Sequence, residues 1–116
     1  MDKFKAIQIL NEYIQKNQLK KFKSRLYLFG SIIQSNKNIS DVDLLITYED
    51  TQELQGLKKM INALEHRLPL DVIYMSIEEE EEFNFIIQQR AVKFEKWLNK
   101  AFLVGNFAPL RSVKFR

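Results

Sequence analysis

The chain has 116 residues, 46% of them hydrophobic, and a net charge of +3, which is the composition of one domain with a hydrophobic core. No run reaches the roughly 18–20 apolar residues of a membrane-spanning helix, and the polar N-terminus is not expected to be a signal peptide. The absence of cysteine excludes disulfides and thiolate metal sites, and we expect a cytoplasmic protein.

The first half of the chain predicts one helix and two strands. Residues 2–19 repeat apolar side chains every three or four positions, which predicts an amphipathic helix. After a polar connector, LYLF (26–29) predicts a short strand that ends at Gly30. VDLLIT (42–47) is rich in β-branched residues and predicts a second strand.

The second half predicts a helix, a strand and a further helix. Asp50 or Thr51 can cap a helix with an apolar stripe, and Pro69 prevents that helix from continuing. LDVIYM (70–75) predicts a third strand. Ser76 and Glu79 form a capping-box pattern that opens a last helix, whose apolar spacing continues to Leu98 with or without a break near Gln89.

This order predicts an α/β (α+β) fold with a small mixed sheet flanked by helices. We expect one domain over residues 1–98. Residues 99–116 are interpreted as a C-terminal tail that packs on the domain or on a partner.

Three aspartates stand at the beginnings of predicted strands. Asp41 and Asp43 are one residue apart and project from the same face, where each raises the pKa of the other unless a cation lies between them. Asp71 begins the third strand among apolar neighbours, and it joins the pair if the second and third strands are adjacent. Three carboxylates suit Mg²⁺ and can hold two ions about 3.5–4 Å apart, as in nucleotidyl displacement.

A Gly-Ser pair ends the first predicted strand. Gly30 lets the backbone approach a phosphate, and Ser31 offers a hydroxyl and an N–H group. If residues 31–35 begin a short helix, its N-terminus also attracts anions. Alone, each of these features is more often a turn, a cap or an exposed acid. Their combination favours the binding of a metal–nucleoside triphosphate.

Gly30-Ser31, the segment SDVDLL (40–45) and Asp71 within LPLDVI resemble the nucleotidyltransferase core of the DNA polymerase β superfamily, in particular its minimal bacterial and archaeal members. The resemblance covers about residues 24–95. It implies a polymerase β-like fold, two Mg²⁺ ions and the transfer of a nucleoside monophosphate from ATP or another NTP.

The resemblance also implies a role for each site residue. Gly30 and Ser31, with Ser40, would bind the triphosphate. Asp41 and Asp43 would ligate both metals, and Asp71 would ligate the catalytic metal and help to activate the acceptor hydroxyl.

The chain departs from the family pattern at one place. Many minimal members carry Arg-Gly a few residues after Gly-Ser, where this chain has Ile33-Gln34-Ser35. Lys37 is therefore expected to supply the basic group of the nucleotide site.

Two functions remain open on the sequence. The first is an enzyme that transfers AMP to a hydroxyl of a partner protein, as some minimal members, which are antitoxins, modify a helical HEPN-type toxin. The second is a weak or inactive antitoxin-like subunit that acts by contact alone. A helical substrate-binding subunit or a second copy of the chain is an alternative partner.

The distribution of charge bears on these partners. Residues 1–25 and 96–116 each carry a net charge of about +5, whereas residues 26–95 carry about −7. The basic ends can meet an acidic partner or simply be solvated. Nucleic-acid binding is not favoured, because no aromatic-interleaved basic motif is present.

Overall fold

Four strands form one mixed sheet in the computed structural model, which describes residues 1–17, 23–34 and 37–95. The elements in chain order are α1 (Lys3–Lys16), β1 (Arg25–Phe29), a 3-10 helix (Gly30–Ile33), β2 (Val42–Tyr48), α2 (Thr51–Glu65), β3 (Leu70–Ser76), α3 (Ile77–Phe83), α4 (Phe85–Gln89) and β4 (Val92–Lys93). Within the described residues, no helix has the length and apolar character needed to cross a membrane.

The sheet has the strand order β3-β2-β1-β4. β1 pairs with β2 and with β4 in antiparallel fashion, whereas β2 and β3 are parallel. Parallel strands need a crossover, and α2 provides it between β2 and β3. The predicted mixed sheet with flanking helices is therefore confirmed.

The main core lies on one face of the sheet, against α1 and α2. Side chains alternate along β2, so Val42, Leu44 and Ile46 share this face, and all three are buried. The larger cluster of buried residues joins α1, the sheet and the end of α2: Ala6, Ile7, Leu10, Ile14, Leu28, Ile32, Ile39, Val42, Leu44, Leu64, Leu68 and Phe94. α1 is also tied to α2, because the Tyr13 hydroxyl donates to the Met60 carbonyl at 2.5 Å.

The other face of the sheet carries Asp43, Leu45 and Thr47 of β2. In the strand register Asp43 lies opposite Phe29 of β1 and beside Asp71 of β3. α4 contacts this face, where the Phe85 ring packs edge-on against the Phe29 ring with centroids 5.0 Å apart. The acidic residues are thus on the face opposite the main core.

The predicted N-caps of α2 and α3 are confirmed. The Asp50 carboxylate accepts from the Gln52 N–H at 2.8 Å and caps α2. At the start of α3 the Glu79 N–H donates to Ser76 Oγ at 3.1 Å, and the Ser76 N–H donates to Glu79 Oε1 at 2.9 Å. Both halves of the capping box are therefore present.

Of the two alternatives for the last helix, the structure has the break near Gln89, and it has a second break that was not predicted. The segment breaks after Phe83, because Asn84 takes a left-handed conformation with φ 52°, and it ends at Arg90 with φ 54°. Asparagine tolerates this conformation better than most residues do. Val92 and Lys93 then pair with β1, a fourth strand that the predicted order lacked.

α1 ends at Lys16 with Asn17 as its C-cap, before the predicted end at residue 19. The short helix expected to begin within residues 31–35 is the 3-10 helix Gly30–Ile33. The part of the predicted last helix that includes Leu98 falls outside the described residues. The predicted tail, 99–116, lies there too. The division of the chain at residue 98 stays a prediction.

Candidate active site

The three predicted acidic residues come together at one end of the sheet. Asp43 and Asp71 are register partners in the parallel pair of β2 and β3, and Asp41 lies two residues before Asp43. One carboxylate oxygen from each of the three residues lies within 4.8 Å of the others. Asp41 and Asp71, which are 30 positions apart in the chain, therefore belong to one cluster, as the sequence predicts.

The parallel strands β2 and β3 begin at paired residues, Val42 and Leu70. The Val42 N–H donates to the Pro69 carbonyl at 2.9 Å, immediately before the paired residues Val42 and Leu70. α2 ends at Glu65, Pro69 cannot belong to a continuing helix, and β3 begins at the next residue, Leu70. This places the first outward-facing position of each strand, Asp43 and Asp71, side by side.

Burial and the negative charge of the cluster change the pKa of Asp43. The pKa of the Asp43 carboxyl group is raised from the usual 3.8 to about 6, first by burial and in addition by the charges of Asp41 and Asp71. A hydrogen bond between the Asp43 and Asp71 carboxyl groups also favours the protonated form of Asp43. The expected repulsion between paired acids is therefore present at this residue.

The donor set fits a divalent cation with oxygen ligands. Mg²⁺ binds carboxylates and retains several waters, and Asp71 is exposed while Asp41 and Asp43 are partly exposed, so water and substrate oxygens can complete the coordination. A dication among the three carboxylates would also compensate the charge that raises the pKa of Asp43.

The Gly-Ser turn lies next to this cluster. Phe29, the last residue of β1, pairs with Asp43, so Gly30 is one residue beyond the acidic centre. Gly30 opens the 3-10 helix with φ 75°, and the Gln34 N–H donates to the Ser31 carbonyl at 3.1 Å to close the turn. The predicted phosphate-binding turn and the predicted metal ligands are thus neighbours.

The two remaining predicted residues belong to the loop before β2. Ser40 is exposed, and its hydroxyl donates to Asp41 Oδ1 at 3.4 Å, so it contacts a predicted metal ligand directly. Lys37 has an exposed side chain. Its role toward phosphate stays a prediction.

Sequence reasoning missed the support that the N-terminal residues give to this loop. The Met1 nitrogen donates to the Ile39 carbonyl at 3.1 Å, and the Ile39 N–H donates back to the Met1 carbonyl at 2.9 Å. The Lys3 N–H donates to the Lys37 carbonyl at 2.9 Å, and Lys3 Nζ donates to the Gln34 carbonyl. No periodic signal marks such a short pairing, which lies between a helix start and an irregular loop.

We expect Lys3→Pro to weaken metal binding by loosening the loop that carries Asp41. Lys3 is the first residue of α1, where proline is well tolerated, and Asp2 already has the extended conformation that precedes proline. The substitution removes the N–H donor to Lys37. One such bond contributes about 0.5–1.5 kcal/mol, so Mn²⁺ affinity measured by calorimetry should fall by up to about tenfold.

Lys3→Ala is the matched control, because it removes the side-chain bond to Gln34 but keeps the N–H donor to Lys37. Equal Mn²⁺ affinity in the two variants would contradict a role for the backbone pairing.

A comparison with known families gives one match. A family model described as a nucleotidyltransferase domain matches residues 7–103. This range includes the Gly-Ser turn and all three acidic residues. A search of curated proteins and a search of solved structures each gave no match.

Proposed function

Since the chain belongs to the nucleotidyltransferase domain family, we propose that it transfers AMP from ATP, with Mg²⁺, to a hydroxyl group of a partner protein. The family supports nucleotidyl transfer in general. The observation that carries the proposal is the cluster of Asp41, Asp43 and Asp71 beside a Gly-Ser turn.

The three aspartates of the cluster are proposed as ligands of the metal ions. Asp41 and Asp43 would hold both Mg²⁺ ions, and Asp71 would hold the catalytic ion together with them. When bound, the two ions supply positive charge to the reacting phosphate and to the leaving pyrophosphate. Gly30, Ser31 and Ser40, with Lys37, bind the triphosphate oxygens.

The reaction is an in-line displacement at the α-phosphorus. The acceptor oxygen forms a bond to phosphorus as the bond from phosphorus to the bridging oxygen of the β-phosphate breaks. Pyrophosphate leaves with that electron pair. The hydroxyl proton passes to the Asp71 carboxylate, which is the most exposed of the three.

A partner protein as acceptor is supported by the openness of the acidic end. Asp71 stands on β3, an edge strand of the sheet, and its side chain is exposed. A helical HEPN-like toxin is the acceptor we propose first, and a helical substrate-binding subunit or a second copy of the chain would use the same open side. ATP as donor follows from the resemblance to the minimal members.

Transfer of label from ATP tests the proposal. The protein is incubated with Mg²⁺ and the product of the neighbouring gene, using ATP labelled at the α-phosphate in one reaction and at the γ-phosphate in another. We expect only the α-label to become protein-bound. Asp43→Asn is the inactive control, and parallel reactions with the other NTPs report the preferred base. Retention of both labels on small molecules, with folded protein, would contradict transfer to that acceptor.

A contact-only role has one observation in its favour, which is the absence of the Arg-Gly pair after Gly30-Ser31. In that case the three aspartates would be dispensable. A triple variant with Asn at positions 41, 43 and 71 would then protect cells against the partner as well as the wild type does. Loss of protection together with loss of label transfer would support the enzyme.

A further inference from the structure

Gly30 lies against the carboxylate of Asp43. Its φ of 75° is in the left-handed region, which glycine adopts at no steric cost. A side-chain carbon built on Gly30 would overlap Asp43 Oδ2, and it would lie 3.0 Å from Asp43 Cγ and 3.3 Å from Asp43 Cβ. The space that a Cβ atom would occupy is therefore taken by the carboxylate of a predicted metal ligand.

The strand register explains this close approach. Phe29 is the antiparallel partner of Asp43, so the chain turns at Gly30 directly beside the outward-facing side chain of Asp43. On its far side Asp43 is flanked by Asp71, its partner in β3. The Asp43 carboxylate is thus confined between the turn and the neighbouring acid.

We propose that Gly30 is a positioning residue for Asp43: the missing side chain leaves the room in which the Asp43 carboxylate meets Asp41 and Asp71. This role is separate from any contact between Gly30 and the triphosphate. It rests on the proposed function only in that the acidic cluster binds a divalent cation.

Gly30→Ala is expected to displace the Asp43 carboxylate and to weaken cation binding before any nucleotide is present. We expect Mn²⁺ affinity, measured by calorimetry without nucleotide, to fall by about tenfold or more, because one of three ligands leaves the cluster. If Gly30 served phosphate approach alone, Gly30→Ala would leave Mn²⁺ affinity unchanged and would weaken only the binding of an ATP analogue. That result would overturn the proposal.

A double-mutant cycle separates the steric conflict from backbone strain. The positive φ penalises alanine in every background, whereas the conflict with Oδ2 and Cγ exists only when Asp43 is present. In metal-free buffer, Gly30→Ala should lower the melting temperature by at least about 4 °C more in the wild type than in Asp43→Ala. Equal shifts in the two backgrounds would overturn the proposal.

The cycle also covers the case in which Gly30→Ala does not fold. Recovery of folding in the Gly30→Ala/Asp43→Ala double variant supports the proposal, and failure of both variants overturns it, because the carboxylate is then not the obstacle. Gly56→Ala, in the middle of α2, is a control for glycine replacement and should leave Mn²⁺ affinity unchanged. Since these readouts use neither ATP nor an acceptor, absence of transfer activity in the wild type would refute the proposed function and leave this result standing.

Discussion

Asp43→Asn is expected to abolish nucleotidyl transfer while making the metal-free protein more stable at neutral pH. Asp43 is the central member of the acidic cluster, since Asp41 lies two residues before it in the chain and Asp71 is its register partner in β3. A neutral amide is a poor ligand for Mg²⁺, and metal ions contribute several kcal/mol to such reactions, so we expect a loss on the order of 10³-fold in kcat/KM. The α-label assay measures this loss.

The gain in stability depends on pH in a defined direction. The pKa of Asp43 is about 6 in the folded protein against 3.8 as the usual value, so the folded state binds this proton more tightly than the unfolded chain does. Protonation of Asp43 therefore contributes stability that is complete below pH 3.8 and is lost as the pH rises through 6. Because the group is partly solvated and screened, we expect the loss to be about 1 kcal/mol rather than the full value of the shift.

Urea unfolding in the presence of a chelator, at intervals from pH 4 to pH 8, measures this effect. The free energy of unfolding of Asp43→Asn should exceed that of the wild type by about 1 kcal/mol above pH 6, and the gap should close toward pH 4. Added Mg²⁺ should stabilise the wild type and not the variant.

Glu49→Gln is the matched control, because it removes one exposed negative charge between β2 and α2 and should leave the pH dependence as it is. A variant Asp43→Asn that retains transfer, or that follows the wild-type stability at every pH, would contradict the assignment of Asp43.

The site could be predicted from sequence where short-range patterns determine it. Alternation along a strand puts Asp41 and Asp43 on one face, and Pro69, which lies between α2 and the strand that carries Asp71, prevents a helix from reaching that strand. The sequence left open whether the second and third strands are adjacent, and the structure pairs them. The nucleotidyltransferase domain model matches the part of the chain that contains these residues.

Other features depend on contacts that leave no local pattern. β4 contains only Val92 and Lys93, and it is fixed by pairing with β1 rather than by its own propensity. The helical spacing that runs past Asn84 and Arg90 allowed one long helix or a break near Gln89, but both residues take left-handed conformations, so the segment breaks at two places. Tertiary packing overrides helical periodicity here.

The close approach of Gly30 to the Asp43 carboxylate is a feature of the site that the sequence did not predict. The sequence predicts that a glycine in this turn allows a phosphate to approach, which is a property of Gly30 alone. Its proximity to Asp43 arises from the antiparallel register of β1 and β2, which places Phe29 opposite Asp43.

Asp71→Asn is expected to separate catalysis from nucleotide binding. Asp71 is exposed on an edge strand, on the open side of the cluster, whereas Asp41 and Asp43 are partly buried within it. Loss of the Asp71 carboxylate removes the proposed proton acceptor and one proposed cation ligand, so kcat should fall by about 10²–10⁴-fold, the usual contribution of a general base. The KM for ATP should change little, because Asp41, Asp43 and the Gly-Ser turn remain.

Steady-state kinetics with ATP, together with Mn²⁺ titration in the presence of an ATP analogue, measures both parts of this expectation. Asp43→Asn serves as the comparison, since it should lose analogue-dependent Mn²⁺ binding as well as kcat. An increase in KM at unchanged kcat for Asp71→Asn would place Asp71 in nucleotide binding and leave the acceptor hydroxyl without a base. Asp71 is more exposed than Asp41 and Asp43. The kinetics of the Asp71→Asn variant therefore distinguish the acceptor side of the site from the nucleotide side.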